Sequence, residues 1–314
     1  MPIVIPDNLP AFSVMEKEGV QVMSEKKALR QDIRALEIGL INLMPNKVDT
    51  ETQFIRLIGS TPLQINFTLI RMTDHVSKST SLEYLNQFYV TYEEIKDRKF
   101  DGLIITGAPI EHLEYEEIYY WQELCDVFDW TQSNVHSTFG ICWGGMAMMY
   151  YWYNLKKIQF EHKLFGCYPQ TNHQTNSPFL RGFSDDIQIP VSRWAGMDQK
   201  DIDESEGLKT LLGSQESGPC LIEDTRHHSL YIMNHFEYST DTLMNEYKRD
   251  LNADGIEIQL PKFYFPNENP AMKPINKWRS NGHLLYSNWI NYIYQTTEYE
   301  LAKIASERKT GIKT

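Results

Sequence analysis

Residues 137–146 read STFGICWGGM, and they follow directly on Val135 and His136. The run up to Ile141 has the composition of a buried strand, and WGGMAMMYYWYNL, from Trp143 onward, reads as a helix. Cys142 stands at the junction between them. A cysteine buried only for packing needs no glycines around it. A nucleophile on a tight strand-to-helix turn needs several, because each removes a Cβ that would block close approach. Such an elbow exposes the side chain, aims the next backbone N–H at a substrate oxygen and adds the positive field of a helix N-terminus, a setting that favours a thiolate.

The same rhythm extends outward from the elbow. LEIGLINLM (36–44) is a short apolar run closed by Pro45, VDTETQFIRLIGS an amphipathic helix with Asp49 and Glu51 in its first turn, and LQINFTLIRM (63–72) a second strand. SLEYLNQFYVTYEEIKDRKF is expected to be helical, with Leu82, Tyr84, Leu85, Phe88 and Tyr89 near helical spacing. FDGLIITGAP (100–109) is a third buried strand and YYWQELCDVFDWTQ a helix. Strands alternating with helices predict an α/β fold, a mainly parallel sheet flanked by helices.

After residue 160 the rhythm loosens. Strands are expected in DIQIPVSRW and in PCLIEDTRHHSLYIMNHFEY, the latter a hairpin turning near Thr225 to His228. STDTLMNEYKRDLNAD reads as a helix with Ser239 as its N-cap, FYFPNENPAMKP as a loop and HLLYSNWINYIYQTT as a last amphipathic helix. The expected organisation is a wrapping segment over 1–35, a single α/β domain with a decorated C-terminal half over 36–300, and a tail over 301–314.

Composition narrows the function. A chain of 314 residues with 41% hydrophobic content is ordinary for a globular protein. A net charge of −12 argues against nucleic-acid partners, which need a basic face. No apolar run is long enough to span a membrane, and the N-terminus has no basic-then-apolar signal, so a cytoplasmic protein without a membrane partner is expected. The cysteines at 125, 142, 167 and 220 lack C-x-x-C spacing, which speaks against both zinc and a disulfide framework. His173, His227 and His228 show no ligand spacing on a helical face, and no metal is expected. GICWGG is not a phosphate loop, since neither a Walker nor a G-x-G-x-x-G pattern is present.

A thiol nucleophile needs a base and a group to orient it. YIMNHFEY puts His235 and Glu237 two residues apart at the end of a predicted strand, where an extended backbone turns both side chains to one side. Cys142, His235 and Glu237 thus form a candidate catalytic set.

TGAP, GICWGG and HFE, in this order, resemble the class I glutamine amidotransferase layout of oxyanion turn, nucleophile elbow and His-x-Glu. INLMPNKVDTETQF, KLFG, SRW, FPNENP and WRSNGHLLYSNWINYIYQ resemble more closely the homoserine O-acyltransferase family, which includes the homoserine O-succinyltransferases of methionine biosynthesis. These pieces span about residues 36 to 296. Glutaminase elbows commonly carry Gln after the second glycine, whereas Gly145 and Met146 follow here, which weakens a hydrolase reading.

The resemblance implies acyl transfer from a CoA thioester to the hydroxyl of L-homoserine through an acyl-cysteine, with no resident cofactor and with the chain as a homodimer. It makes Cys142 the nucleophile, His235 the general base and Glu237 its orienter. Backbone N–H groups of Trp143, Gly107 and Ala108 would form an oxyanion hole worth ~3 kcal/mol per donor. It also implies substrate-binding roles for Lys163, Ser192 and Arg249, the arginine gripping the homoserine carboxylate. In members that use succinyl-CoA, the position of Glu111 is similar to a glycine. A glutamate there fills the space of the longer acyl chain and repels its terminal carboxylate. Acetyl-CoA is therefore the expected donor, with succinyl-CoA or a glutaminase-type hydrolase as the alternatives.

Overall fold

The computed structural model describes residues 3–6, 8–17, 22–23, 34–73, 80–251, 258–297 and 300–304. Apolar runs become strands buried on both faces when helices cover a parallel sheet from either side. Three such runs make its centre: β3 (Leu36–Ile41), β6 (Phe100–Ile105), which is buried throughout, and β7 (Val135–Ile141). Beside them lie β1 (Ile3–Val4), β2 (Val22–Met23), β4 (Ile65–Arg71) and β5 (Tyr89–Thr91). The C-terminal half adds β8 (Ile158–Asn172), β9 (Ile187–Gly196), β10 (Leu208–Ser214), β11 (Gly218–Asp224) and β12 (Ser229–Ile232). Together they form a 12-stranded sheet in the order β2-β1-β4-β3-β6-β7-β12-β11-β10-β8-β9, with β5 on β4.

Pairing is parallel from β2 to β12 and antiparallel from β12 to β9. The chain steps from β3 outward to β4, then returns to β6 on the far side of β3. Ligands in open α/β sheets sit at such a reversal, beyond the carboxyl ends of the strands.

Two helices fix the surroundings of that point. α2 (Lys47–Ile58) starts just beyond β3, with Asn46 capping it through the Asp49 N–H. α9 (Arg279–Thr296) crosses the sheet, stacking Tyr286 on Phe139 at 5.4 Å and donating from Trp289 Nε1 to Ser137 Oγ at 3.0 Å. Trp289 is fully buried, so its truncation to alanine would cost about 3–5 kcal/mol. The remaining helices are α1 (Pro10–Lys17), α3 (Leu82–Phe88), α4 (Tyr92–Ile95), α5 (Trp121–Asn134), α6 (Trp143–Tyr153), α7 (Gln199–Glu204) and α8 (Thr242–Leu251).

Several expectations change in detail. The stretch from 81 to 100 is interrupted, because Tyr89–Thr91 leaves α3 to pair with β4, opposite Leu69–Arg71. Its β-branched and aromatic residues fit a pleated edge better than a helix. Ser239 does not cap α8, which starts at Thr242 with the Asp241 carbonyl accepting from Asn245. The hairpin at 225–228 is present, joining β11 to β12. β8, α7 and β10 were not expected. The first half of β8 is largely exposed and its pairing with β9 shifts register between Gln159 and Leu164, which erases any alternation. Within 1–35, β1 and β2 extend the parallel edge beside β4. The 301–314 segment begins with a short 3-10 turn at Leu301–Lys303, and 305–314 lies outside the described residues.

Candidate active site

Cys142 joins β7 to α6 with φ 47° and ψ −117°, a backbone conformation that L side chains rarely adopt. Such strain costs about 1–3 kcal/mol and persists only where the surroundings hold it. Here Cys142 N donates to Ile232 O at 2.6 Å, while its carbonyl accepts from Met146 N at 3.0 Å. Gly144 lets the elbow meet the end of β6, since a Cβ on it would sit 2.6 Å from Thr106 O. Gly107 brings the turn after β6 against the elbow, where its own Cβ would lie 3.3 Å from Cys142 Cβ and 3.6 Å from Trp143 N. Trp143 is the first residue of α6, so its N–H has no acceptor within the helix. Gly107 and Trp143 therefore bring backbone against Cys142, with Ala108 next in the same turn.

β12 ends at Ile232, so His235 and Glu237 follow in a turn and not on the strand. The extended-backbone explanation for their pairing is thereby corrected. The turn closes with Tyr238 N donating to His235 O at 3.5 Å, and His235 N is held on Pro190 O at 2.8 Å. His235 Nδ1 lies 2.6 Å from Glu237 Oε1, and the same imidazole hydrogen-bonds the Cys142 thiol. Burial alone lowers the imidazole pKa. The charges of Glu237 and Cys142, with hydrogen bonds to both, outweigh burial and raise it to about 10. Glu237 Oε2 is buried with no hydrogen-bond partner among the described residues, so the carboxylate depends on the imidazole beside it.

Cys125, Cys167 and Cys220 are also buried and unpaired, but burial pushes their thiols up to about 11, 12 and 12. They are inert for nucleophilic chemistry at neutral pH. Cys142 differs from them by its imidazole partner.

Lys163, Ser192 and Arg249 converge on two carboxylates that sequence reading missed, Glu246 and Asp250. Glu246 Oε1 accepts from Lys163 Nζ at 2.6 Å, Ser192 Oγ at 2.7 Å and Arg249 at 3.5 Å. Asp250 accepts from Lys163 at 3.1 Å and from Arg249 Nε at 2.6 Å. Burial would raise the Asp250 carboxyl, but hydrogen bonds from Arg249 and Lys163, and their charges, hold it below its usual range. The available signal was NEYKRD, where Glu246, Arg249 and Asp250 fall at i, i+3 and i+4 on one helical face.

Glu111 lies in the turn after Ala108 and is buried, not turned to solvent. Burial raises its carboxyl, offset by its own backbone N–H and by the charges of His112, His235 and Lys163. Tyr238, also missed from sequence, ties the groups together. Its ring stacks on His235 at 4.3 Å, and burial, with the charges of Glu246, Glu237, Cys142 and Glu111, holds its hydroxyl far above the usual value. The triad, Glu111 and the Glu246 cluster thus share one site.

A second buried charge flanks the site at the start of α2. Lys47 Nζ donates to Asn42 O at 2.7 Å, and burial lowers its pKa to about 8. Leu43 N in the same loop donates to Thr106 Oγ1 at 2.8 Å, linking that loop to the turn beside Cys142. Among the described residues, no group of three His, Cys, Asp or Glu side chains is arranged to hold a metal ion. Nor is any helix there long and apolar enough to cross a membrane.

Comparison with known proteins bears on the family and on the fold. The family model described as Homoserine O-succinyltransferase matches residues 2–299. A homoserine O-acetyltransferase of a Ruegeria species is 59% identical over 304 residues, covering 97% of each chain. That of Dinoroseobacter shibae is 60% identical over 306 residues, covering 98% of this chain and 100% of its own. Among solved structures, a glutamine amidotransferase from Thermotoga maritima superposes with a TM-score of 0.55 at 12% identity, covering 83% of this chain and 99% of its own. A putative GMP synthase subunit from Thermoplasma acidophilum gives 0.52 at 13% identity, covering 90% and 100%. At such low identity these structures speak to the fold alone, a class I glutamine amidotransferase-like sheet.

Proposed function

We propose, from the premise that the chain belongs to the homoserine O-succinyltransferase family, that it transfers the acetyl group of acetyl-CoA to the hydroxyl of L-homoserine. The observation that carries this reading is one site in which a Cys142–His235–Glu237 set adjoins a cluster presenting both cations and carboxylates. A zwitterionic acceptor needs both signs, the cations for its carboxylate and the carboxylates for its ammonium. Relatives at 59% and 60% identity bear the name homoserine O-acetyltransferase, which supports the choice of acyl group.

Cys142 Sγ attacks the thioester carbonyl, and the charge that develops on the oxygen is met by the N–H groups of Trp143 and the Gly107–Ala108 turn. Collapse expels the CoA thiolate, which takes the proton held by His235, and leaves acetyl on Cys142. A thioester exchanges for a thioester, so little bond energy is spent. The acceptor hydroxyl then gives its proton to His235 and attacks the acetyl carbonyl. Ester forms, the Cys142–acyl bond breaks, and the thiolate is restored. Glu237 fixes the imidazole throughout, while Arg249 and Lys163 on one side and Glu246 and Asp250 on the other orient the amino acid. Glu111 fills the space beyond the acetyl methyl. Family resemblance supports a homodimeric, cytoplasmic enzyme without a resident cofactor, which sedimentation and metal-free assay can test.

The test measures thiol release from acetyl-CoA and from succinyl-CoA, each with and without L-homoserine. Homoserine-dependent release from acetyl-CoA is expected, and Glu111→Gly should shift the donor ratio toward succinyl-CoA by about tenfold or more. Preference of the unaltered enzyme for succinyl-CoA would remove the acetyl assignment. Release without homoserine would restore the hydrolase reading.

A further inference from the structure

The site so far accounts for the thioester and the acceptor but not for the bulk of the donor. An open groove of about 1390 Å³ lies between α2, the 236–241 turn, the 270–276 loop and the start of α9. Cys142 and His235 do not line it. It reaches the reaction centre through Glu237 and Tyr238, and Tyr238 stacks on His235.

The charge of this groove is opposite to the net charge of the chain. Four cationic side chains line it, Arg56, Lys248, Lys273 and Arg279, together with His283, against two acidic ones, Glu237 and Asp241. Glu237 is already paired with His235. In a chain of net charge −12, a concentration of cations beside the catalytic group attracts an anion. Arg279 is the first residue of the 18-residue α9, where the helix dipole has the same sign. Pro270, Met272 and Pro274 also line the groove, and Met272 is exposed, so an apolar surface lies beside the cations. Phosphates attached to a flat heterocycle have this chemistry.

We infer that the groove binds the adenosine 3′,5′-bisphosphate end of the CoA thioester, with the pantetheine arm passing Tyr238 to reach Cys142. The inference rests on the acyl-CoA reading above and adds the location of the donor. Lys273 and Arg279 stand at the exposed rim and make charge-assisted contacts to the phosphates. Lys248 lies on α8 two residues from Glu246 and two from Asp250, and so on a different face from those carboxylates; α8 thus serves both substrates.

Steady-state kinetics of Lys273→Glu with Arg279→Glu test this, with Lys273→Ala as a milder second variant. Both positions are exposed, so folding should be retained. The KM for acetyl-CoA should rise about tenfold or more in the double variant, with kcat and the KM for homoserine within about twofold. The unaltered enzyme should use 3′-dephospho-acetyl-CoA less well than acetyl-CoA, and the variants should lose that preference. Unchanged KM for acetyl-CoA, or no preference for the 3′-phosphate in the unaltered enzyme, would overturn the groove assignment. Calorimetry with adenosine 3′,5′-bisphosphate separates the two levels. Binding that the double variant loses supports the groove whichever acyl group is transferred, whereas absent binding in an enzyme that does acetylate homoserine overturns the groove alone.

Discussion

The His235–Glu237 pair and the Lys163–Glu246–Asp250–Arg249 cluster are both made of opposite charges, but they are enclosed differently. The His235 and Glu237 side chains are 7% and 5% exposed; Lys163 and Asp250 are nearly as enclosed, at 9% and 12%, but their cluster opens to solvent through Arg249, which is 69% exposed. In the first, low dielectric strengthens a fixed pairing and keeps a proton on the imidazole. In the second, Lys163 stays held between two carboxylates, and only Arg249, at the mouth of the site, can exchange partners without stranding a buried charge. Enclosure therefore suits the group that must stay aligned through the reaction. An open arginine suits a cluster proposed to receive and release an amino acid.

Three measurements would break or sharpen this contrast. The largest effect is expected for Cys142→Ser, which should lower turnover by on the order of 10⁴-fold or more and abolish covalent labelling by radioactive acetyl-CoA. Label that persists in this variant would take Cys142 out of the enclosed group as acyl carrier. A smaller effect should follow from Arg249→Lys, which keeps the charge but loses the planar fork. It should raise the KM for homoserine on the order of tenfold with kcat nearly unchanged. A fall in kcat at constant KM would mean that the open cluster belongs to the chemistry and not to binding.

The smallest effect is on stability. His235 is raised from 6.5 to about 10, so its pairing stabilises the fold fully below pH 6.5 and loses that contribution as pH rises through about 10. Lys47 acts oppositely: its pKa is lowered from 10.5 to about 8, so the penalty of burying it is present below pH 8 and disappears as pH climbs to 10.5. The melting temperature of the unaltered protein should therefore be compared with that of Glu237→Gln from pH 6.5 to 10, because Lys47 contributes equally to both. The variant should show the shallower decline. Equal slopes would mean that Glu237 does not hold the imidazolium.

Legibility differed along the chain. GICWGG and TGAP were readable because steric demands at an elbow and at a close backbone approach are local, and few residues besides glycine meet them. The parallel strands were readable because strands buried on both faces are uninterrupted apolar runs. β8 was not readable, since its exposed half and its register shift remove the period. Lys163 and Glu246 are 83 residues apart and meet at 2.6 Å. No local pattern records that meeting, and Glu246 looked like any carboxylate on a solvated helix. His235 and Glu237 were identified as partners, but through a strand geometry the chain does not use there.

By itself, the sequence determined the α/β class, the elbow at Cys142 and the pairing of His235 with Glu237, because propensity, periodicity and glycine sterics act over a few residues. Tertiary structure alone decided that Glu111 is buried, that Tyr238 covers the imidazole and that two helical carboxylates face Lys163. It also gathered four cations from α2, α8, the 270–276 loop and α9 into one groove. Burial and charge pairing are properties of distant segments brought together, and they exist only once the sheet and its covering helices have formed.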